Sequence, residues 1–142
     1  MRTTSAIVLA AALLSSALCS ASSDGYIGWD EVSFKDGAGW SVHIAQTRIA
    51  NSDHDRISVL EISHNGLAID IPESATNLVR DPLLNGVKLL NVCCSDAVKL
   101  QIPVLEFKPN GSSTKRIWEI SIEGGKFIGA NFRTPSAFDG SD

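Results

Sequence analysis

Residues 57–71 read Ile57-Ser58-Val59-Leu60-Glu61-Ile62-Ser63-His64-Asn65-Gly66-Leu67-Ala68-Ile69-Asp70-Ile71, two alternating apolar and polar runs joined by an Asn-Gly pair. A period of two puts successive side chains on opposite faces of an extended chain. Asn-Gly accepts the two consecutive positive φ angles of a type I′ turn, whose twist matches that of antiparallel strands. A two-residue loop then sets His64 opposite Leu67, Ile62 opposite Ile69 and Leu60 opposite Ile71, a largely apolar ladder on one face. On the other face Ser63 meets Ala68 and Glu61 meets Asp70. The last is a like-charge pair, unfavourable unless a cation or a base from a neighbouring strand sits beside it.

The same grammar extends in both directions. Gly124-Gly125 predicts a second hairpin, with Glu123 opposite Lys126, Ile122 opposite Phe127, Ile120 opposite Gly129 and Trp118 opposite Asn131. Upstream, runs 31–34 and 40–49 flank the loop Lys35-Asp36-Gly37-Ala38-Gly39, with Trp40, Val42 and Ile44 on one face and Ser41 and His43 on the other. Downstream, runs 87–93 and 100–107 read as strands, and Pro103 in the second favours an edge or a bulge. Residues 72–85 fit strand patterning poorly and read as a crossing loop or a short helix over 73–79, ended before Pro82. The expectation is an all-β, mainly antiparallel domain of seven to eight strands, either a sandwich or a small, partly open barrel. Nothing repeats at a fixed period, so one domain spans 22–142, with an ordered core over about 26–132 and a polar tail over 135–142.

The first 21 residues stand apart. Arg2 precedes the unbroken apolar run Ala6 to Leu14, and small, polar residues follow to Ala21. That is the layout of a secretory signal peptide, and the run is too short for a transmembrane anchor. A cut after Ala21 removes one arginine and no acid, taking the net charge of −4 over 142 residues to −5. The acidic balance disfavours nucleic acid and anionic membrane, both of which reward clustered Lys and Arg. The expected location is periplasmic or extracellular, with no stable membrane anchor after cleavage.

Beyond the leader the cysteines are Cys93 and Cys94, neighbours that cannot staple distant parts of one chain. On a strand they would point to opposite faces, one thiol buried and one exposed. The alternatives are a strained vicinal disulfide or pairing between chains in an oxidising compartment.

No GxSxG, HExxH, Walker or GxGxxG pattern is present, so no catalytic residue, cofactor or metal is assigned. The densest polar cluster is Asn51-Ser52-Asp53-His54-Asp55, read as a loop tip. Carboxylates beside an imidazole suit a divalent cation, but the stretch lacks the DxDxDG spacing of a calcium loop, and an Asx-rich turn gives the same residues. His43 and His64 lie on strands, where a structural role is the simpler reading. Tyr26, Trp29 and Trp40, close to Gly25, Gly28, Gly37 and Gly39, would plug one end of the core or form an aromatic surface for a partner or a sugar. Asn110-Gly111-Ser112 is an N-glycosylation sequon in a turn.

An exported domain with polar loops and no catalytic set is expected to be a binding protein, in its most concrete form a periplasmic inhibitor or immunity-type protein that blocks a cell-wall-degrading enzyme. The contacts would come from Asp36, Asn51, Asp53, His54, Asp55 and Asn110, and the acidic charge would steer a basic target. The alternatives are a carbohydrate-binding or adhesive module using Tyr26, Trp29 and Trp40, and a small metal-dependent hydrolase around Asp53, His54 and Asp55.

Overall fold

The structure, a computed structural model, describes residues 26–27 and 30–136, and of residues 26 and 27 the backbone alone. The leader, Trp29 and the tail from 137 lie outside the described residues. Those described form strands β1 (Tyr26–Ile27), β2 (Glu31–Lys35), β3 (Trp40–Arg48), β4 (Asp55–His64), β5 (Leu67–Ile69), β6 (Lys88–Asn91), β7 (Val98–Phe107), β8 (Ser113–Glu123) and β9 (Lys126–Arg133). Strands β1 to β5 make one antiparallel sheet and β6 to β9 a second, each in chain order. The sheets share no strand, so the all-β expectation is met in its sandwich form rather than as a barrel. One strand more than expected is present, because the two-residue β1 pairs with β2.

The inward faces supply Val32, Val42, Ile44 and Ile62 from the first sheet and Leu100, Ile102, Trp118, Ile120 and Ile122 from the second, all buried in one cluster. Each such side chain contributes roughly 1.5–3 kcal/mol relative to exposure. This burial is what fixes strand register, since a slip by one residue would turn the apolar set to solvent.

Both glycine turns form with positive φ at each central residue, 50° and 79° at Asn65-Gly66 and 57° and 72° at Gly124-Gly125. The first hairpin keeps the expected partners Ile62–Ile69, Ser63–Ala68 and His64–Leu67. It stops at Ile69, so the Leu60–Ile71 and Glu61–Asp70 pairings do not form; Pro72, without an N–H, opens the crossing instead. The second hairpin departs from strict alternation. After Ile122–Phe127 the register shifts, pairing Ser121 with Gly129, Ile120 with Ala130 and Trp118 with Phe132. Unbroken alternation would have turned Gly129 and Asn131 inward, whereas the bulge packs Phe127, Ala130 and Phe132 on the core and leaves Ile128 exposed. A matching irregularity in β3–β4 brings Ile57 opposite Gln46 and buries it.

The crossing contains one helical turn, α1 (Glu73–Thr76), shorter than the 73–79 expected, and a 3₁₀ turn at Leu84–Gly86. Its middle stitches the sheets together. Asp81 N–H donates to the Asp55 carbonyl (2.9 Å), Leu105 N–H to the Asp81 carbonyl (3.1 Å) and Leu83 N–H to the Pro103 carbonyl (2.7 Å). The last bond also explains Pro103, which lies inside a central strand, not at an edge or a bulge. Its carbonyl and ring nitrogen face the crossing, beyond the reach of β6, so no bond to β8 is lost. Cys93 and Cys94 are likewise not on a strand: β6 ends at Asn91 and both sit exposed in the β6–β7 turn.

Candidate functional site

One end of the sandwich gathers the β3–β4 loop, the crossing at residues 80–82 and the last residues of β7. The β3–β4 loop closes on itself: Ile49 N–H donates to the His54 carbonyl (2.9 Å), Ser52 N–H to the Ile49 carbonyl (3.1 Å) and His54 N–H to Ser52 Oγ (3.1 Å). Asn51 takes the left-handed conformation, φ 57°, that its short amide tolerates. Arg48 ties the loop to the sheet, donating to the Asp53 carbonyl (2.9 Å) and pairing with Asp55 Oδ1 (2.9 Å).

From this loop His54 reaches Asp81, Nδ1 to Oδ2 at 2.6 Å, while the second Asp81 oxygen accepts the Asp55 N–H at 2.9 Å. Asp81 is held in a left-handed conformation, φ 51°, with its side chain 13% exposed. Nε2 lies on the other edge of the ring, away from Asp81. The His54 ring lies 6.4 Å from that of Phe107, tilted by 51°.

Both border a cavity of about 260 Å³ lined also by Leu78, Arg80, Val104, Arg116 and Phe132. Leu78 and Phe107 are exposed, 69% and 56%. Arg116 stacks over the Phe132 ring at 4.9 Å and pairs with Glu106 at 3.5 Å. The arrangement is an apolar floor with a rim of one imidazole, two guanidiniums and the exposed Glu106 carboxylate, suited to an apolar group flanked by charges. None of the residues that line it carries a hydroxyl or thiol.

Of the residues singled out in the sequence, Asn51, Asp53, His54 and Asp55 share this end, and the β7–β8 turn with Asn110 begins one residue beyond Phe107. Asn110 Oδ1 there accepts from Ser112 N–H (3.0 Å) and Ser112 Oγ (2.6 Å). Asp36 does not join them. It lies at the opposite end of β3, where its Oδ1 accepts the Ala38 and Trp40 N–H groups at 3.0 and 2.8 Å, so it closes its own loop. Asp53, His54 and Asp55 do not converge as metal ligands, because His54 turns to Asp81 and Asp55 to Arg48. Among the described residues no group of three His, Cys, Asp or Glu side chains could hold a metal ion. Trp40 is 4% exposed and stacked on His64, centroids 4.3 Å apart and 8° from parallel, so it belongs to the core and not to an aromatic surface. His64 Nε2 donates in turn to the Ala38 carbonyl at 3.1 Å.

Asp81, Arg116, Leu78 and Phe107 did not emerge from the sequence, since nothing in their spacing announces that the crossing folds against the β3–β4 loop. Two charge clusters on the outward sheet faces were equally hidden. His43 bonds Glu31 (2.6 Å) and Glu61 (3.3 Å), and the first of these, opposed by burial and helped by Glu61, raises its pKa above the usual histidine value. It is also the base that settles Glu61. On the other sheet, burial pushes the Glu119 carboxyl up, but bonds from Lys99 (2.9 Å), Gln101 (2.9 Å) and Arg133 (3.1 Å) outweigh it and hold the group below the usual glutamate value.

No family model, curated protein or solved structure matches the chain.

Proposed function

We propose that this is an exported protein-binding module of the inhibitor or immunity type, which blocks a basic cell-wall-degrading enzyme through the His54–Phe107 end. The observation that carries the reading is the open cavity between exposed Leu78 and Phe107, ringed by charged groups. An apolar centre within a polar rim is the anatomy of an energetically focused protein contact. The net charge of −4, or −5 without the leader, favours a cationic partner by steering its approach. Trp40, taken into the core, is lost to the sugar-stacking alternative.

The test is inhibition, read as clearing of a peptidoglycan suspension by muramidases, amidases and endopeptidases of basic charge titrated with the protein. One class should be inhibited stoichiometrically, and Phe107→Ala should weaken that inhibition about 30-fold, the loss of an anchor worth ~2 kcal/mol. A folded protein that inhibits none of them, or a Phe107→Ala variant as potent as the parent, would overturn the reading.

A further inference from the structure

The β6–β7 turn carries chemistry that the binding reading does not use. Ser95 N–H donates to the Val92 carbonyl (3.3 Å) and Val92 N–H to the Ala97 carbonyl (2.9 Å), which makes Cys93 and Cys94 the central residues of a β-turn. Cys94 has φ 66° while Cys93 is not in the positive region, the pattern of a type II turn, whose third position ordinarily takes glycine. Both thiols are exposed, and their Sγ atoms stand 3.0 Å apart. We propose that Cys93 and Cys94 form a reversible thiol–disulfide site that exchanges with organic disulfides by closing and opening a vicinal disulfide.

The chemistry balances as two exchanges. One thiolate attacks a sulfur of the organic disulfide, expels one thiolate of it and leaves a mixed disulfide on the protein. The neighbouring thiolate then attacks the protein sulfur of that bond and expels the second thiolate. The two cysteines lose two electrons and two protons, and the organic disulfide becomes two thiols. Adjacency makes the second step intramolecular, so the mixed disulfide does not accumulate. Adjacency also makes the product labile. Consecutive Cα atoms lie ~3.8 Å apart, inside the ~4.4 Å lower limit of ordinary disulfides, and a bond strained in this way is readily reduced. The site is thus a dithiol that cycles with its surroundings, unlike a structural staple. Contact with Cys94 raises the Cys93 thiol above its ordinary value, which lowers its thiolate fraction near neutral pH and slows attack from that sulfur. The pair lies at the opposite end of β7 from Phe107, roughly 30 Å away along ten strand residues, so its test is independent of the wall-hydrolase reading.

The full-length protein is treated with oxidised glutathione, alkylated and digested with trypsin, and peptide 89–99 is weighed, since it contains both turn cysteines and no other. The expected product is two hydrogens lighter than the dithiol, resists alkylation, regains both thiols with dithiothreitol, and forms at a rate independent of protein concentration. Cys93→Ser and Cys94→Ser should each stop instead at a stable glutathione adduct. Complete alkylation of both cysteines after treatment, a persistent glutathione adduct on the parent protein, or chains linked through this peptide would each overturn the proposal.

Discussion

His43 and Glu119 occupy corresponding places on the two sheets with the charges reversed. Each lies on an interior strand, turned away from the core, and is gripped by side chains from the strands on either side. His43 on β3 stands between Glu31 of β2 and Glu61 of β4. Glu119 on β8 takes Lys99 and Gln101 from β7 and Arg133 from β9. What separates them is water, since the His43 side chain is 33% exposed and that of Glu119 only 7%. An exposed triplet is screened and contributes tenths of a kcal/mol, whereas a buried carboxylate must have its partners or the sheet suffers. The same plan of cross-strand charges is therefore an accessory on one sheet and a structural requirement on the other.

The strongest way to break the comparison is Glu119→Ala. It strips Lys99 and Arg133 of their shared carboxylate and leaves the buried Gln101 amide without its acceptor, at a cost of about 3 kcal/mol. Urea unfolding at neutral pH measures it, and a loss under ~1 kcal/mol would mean that burial does not set the two clusters apart. Lys99→Ala should cost about 1 kcal/mol, because the half-exposed ammonium leaves Arg133 and Gln101 in place. Acid sharpens the contrast. The folded pKa of Glu119 is lowered, so its contribution is complete above the ordinary glutamate value of ~4.3 and is lost as pH falls through the folded value. Glu119→Gln should flatten that part of the stability profile. An acid limb as steep as the parent's would assign it to other carboxylates.

Neither cluster was legible in the sequence, and the reason is shared with the binding end. Local rules reached what chain neighbours decide: the two glycine turns, the alternation of Trp40, Val42 and Ile44, and the first pairs out from each turn. Register failed where a bulge intervened, since Ile128 is displaced by a preference of the whole core for Phe127, Ala130 and Phe132 that no local window contains. Contacts between elements distant in sequence were harder still. His54 and Asp81 are 27 residues apart, and their bond exists because the crossing segment adds backbone bonds to both sheets. The Asn51–Asp55 loop could be named from its composition, but its partner carboxylate, the two arginines and the exposed Phe107 follow from topology alone. Cys93 and Cys94 were misplaced for a similar reason: their run reads as strand, yet β6 ends at Asn91 and they turn the chain.

The smallest effect is the most specific test of the exposed triplet, because its sign opposes that of Glu119. The folded pKa of His43 is raised by its two glutamates, so the imidazolium's contribution is complete below ~6.5 and disappears as pH rises through the folded value. The groups that face it from the packed strands are the carboxylates of Glu31 and Glu61. Comparing urea midpoints at about pH 5.5 and about pH 8.5 for the parent and His43→Gln cancels the other titrating groups. The parent should lose about 0.5 kcal/mol more than the variant on going to the alkaline side, and added salt should shrink the difference. An equal loss in both would show that water has already screened the triplet to nothing. A gain in the parent would reverse the sign, and the cluster would then favour a neutral imidazole.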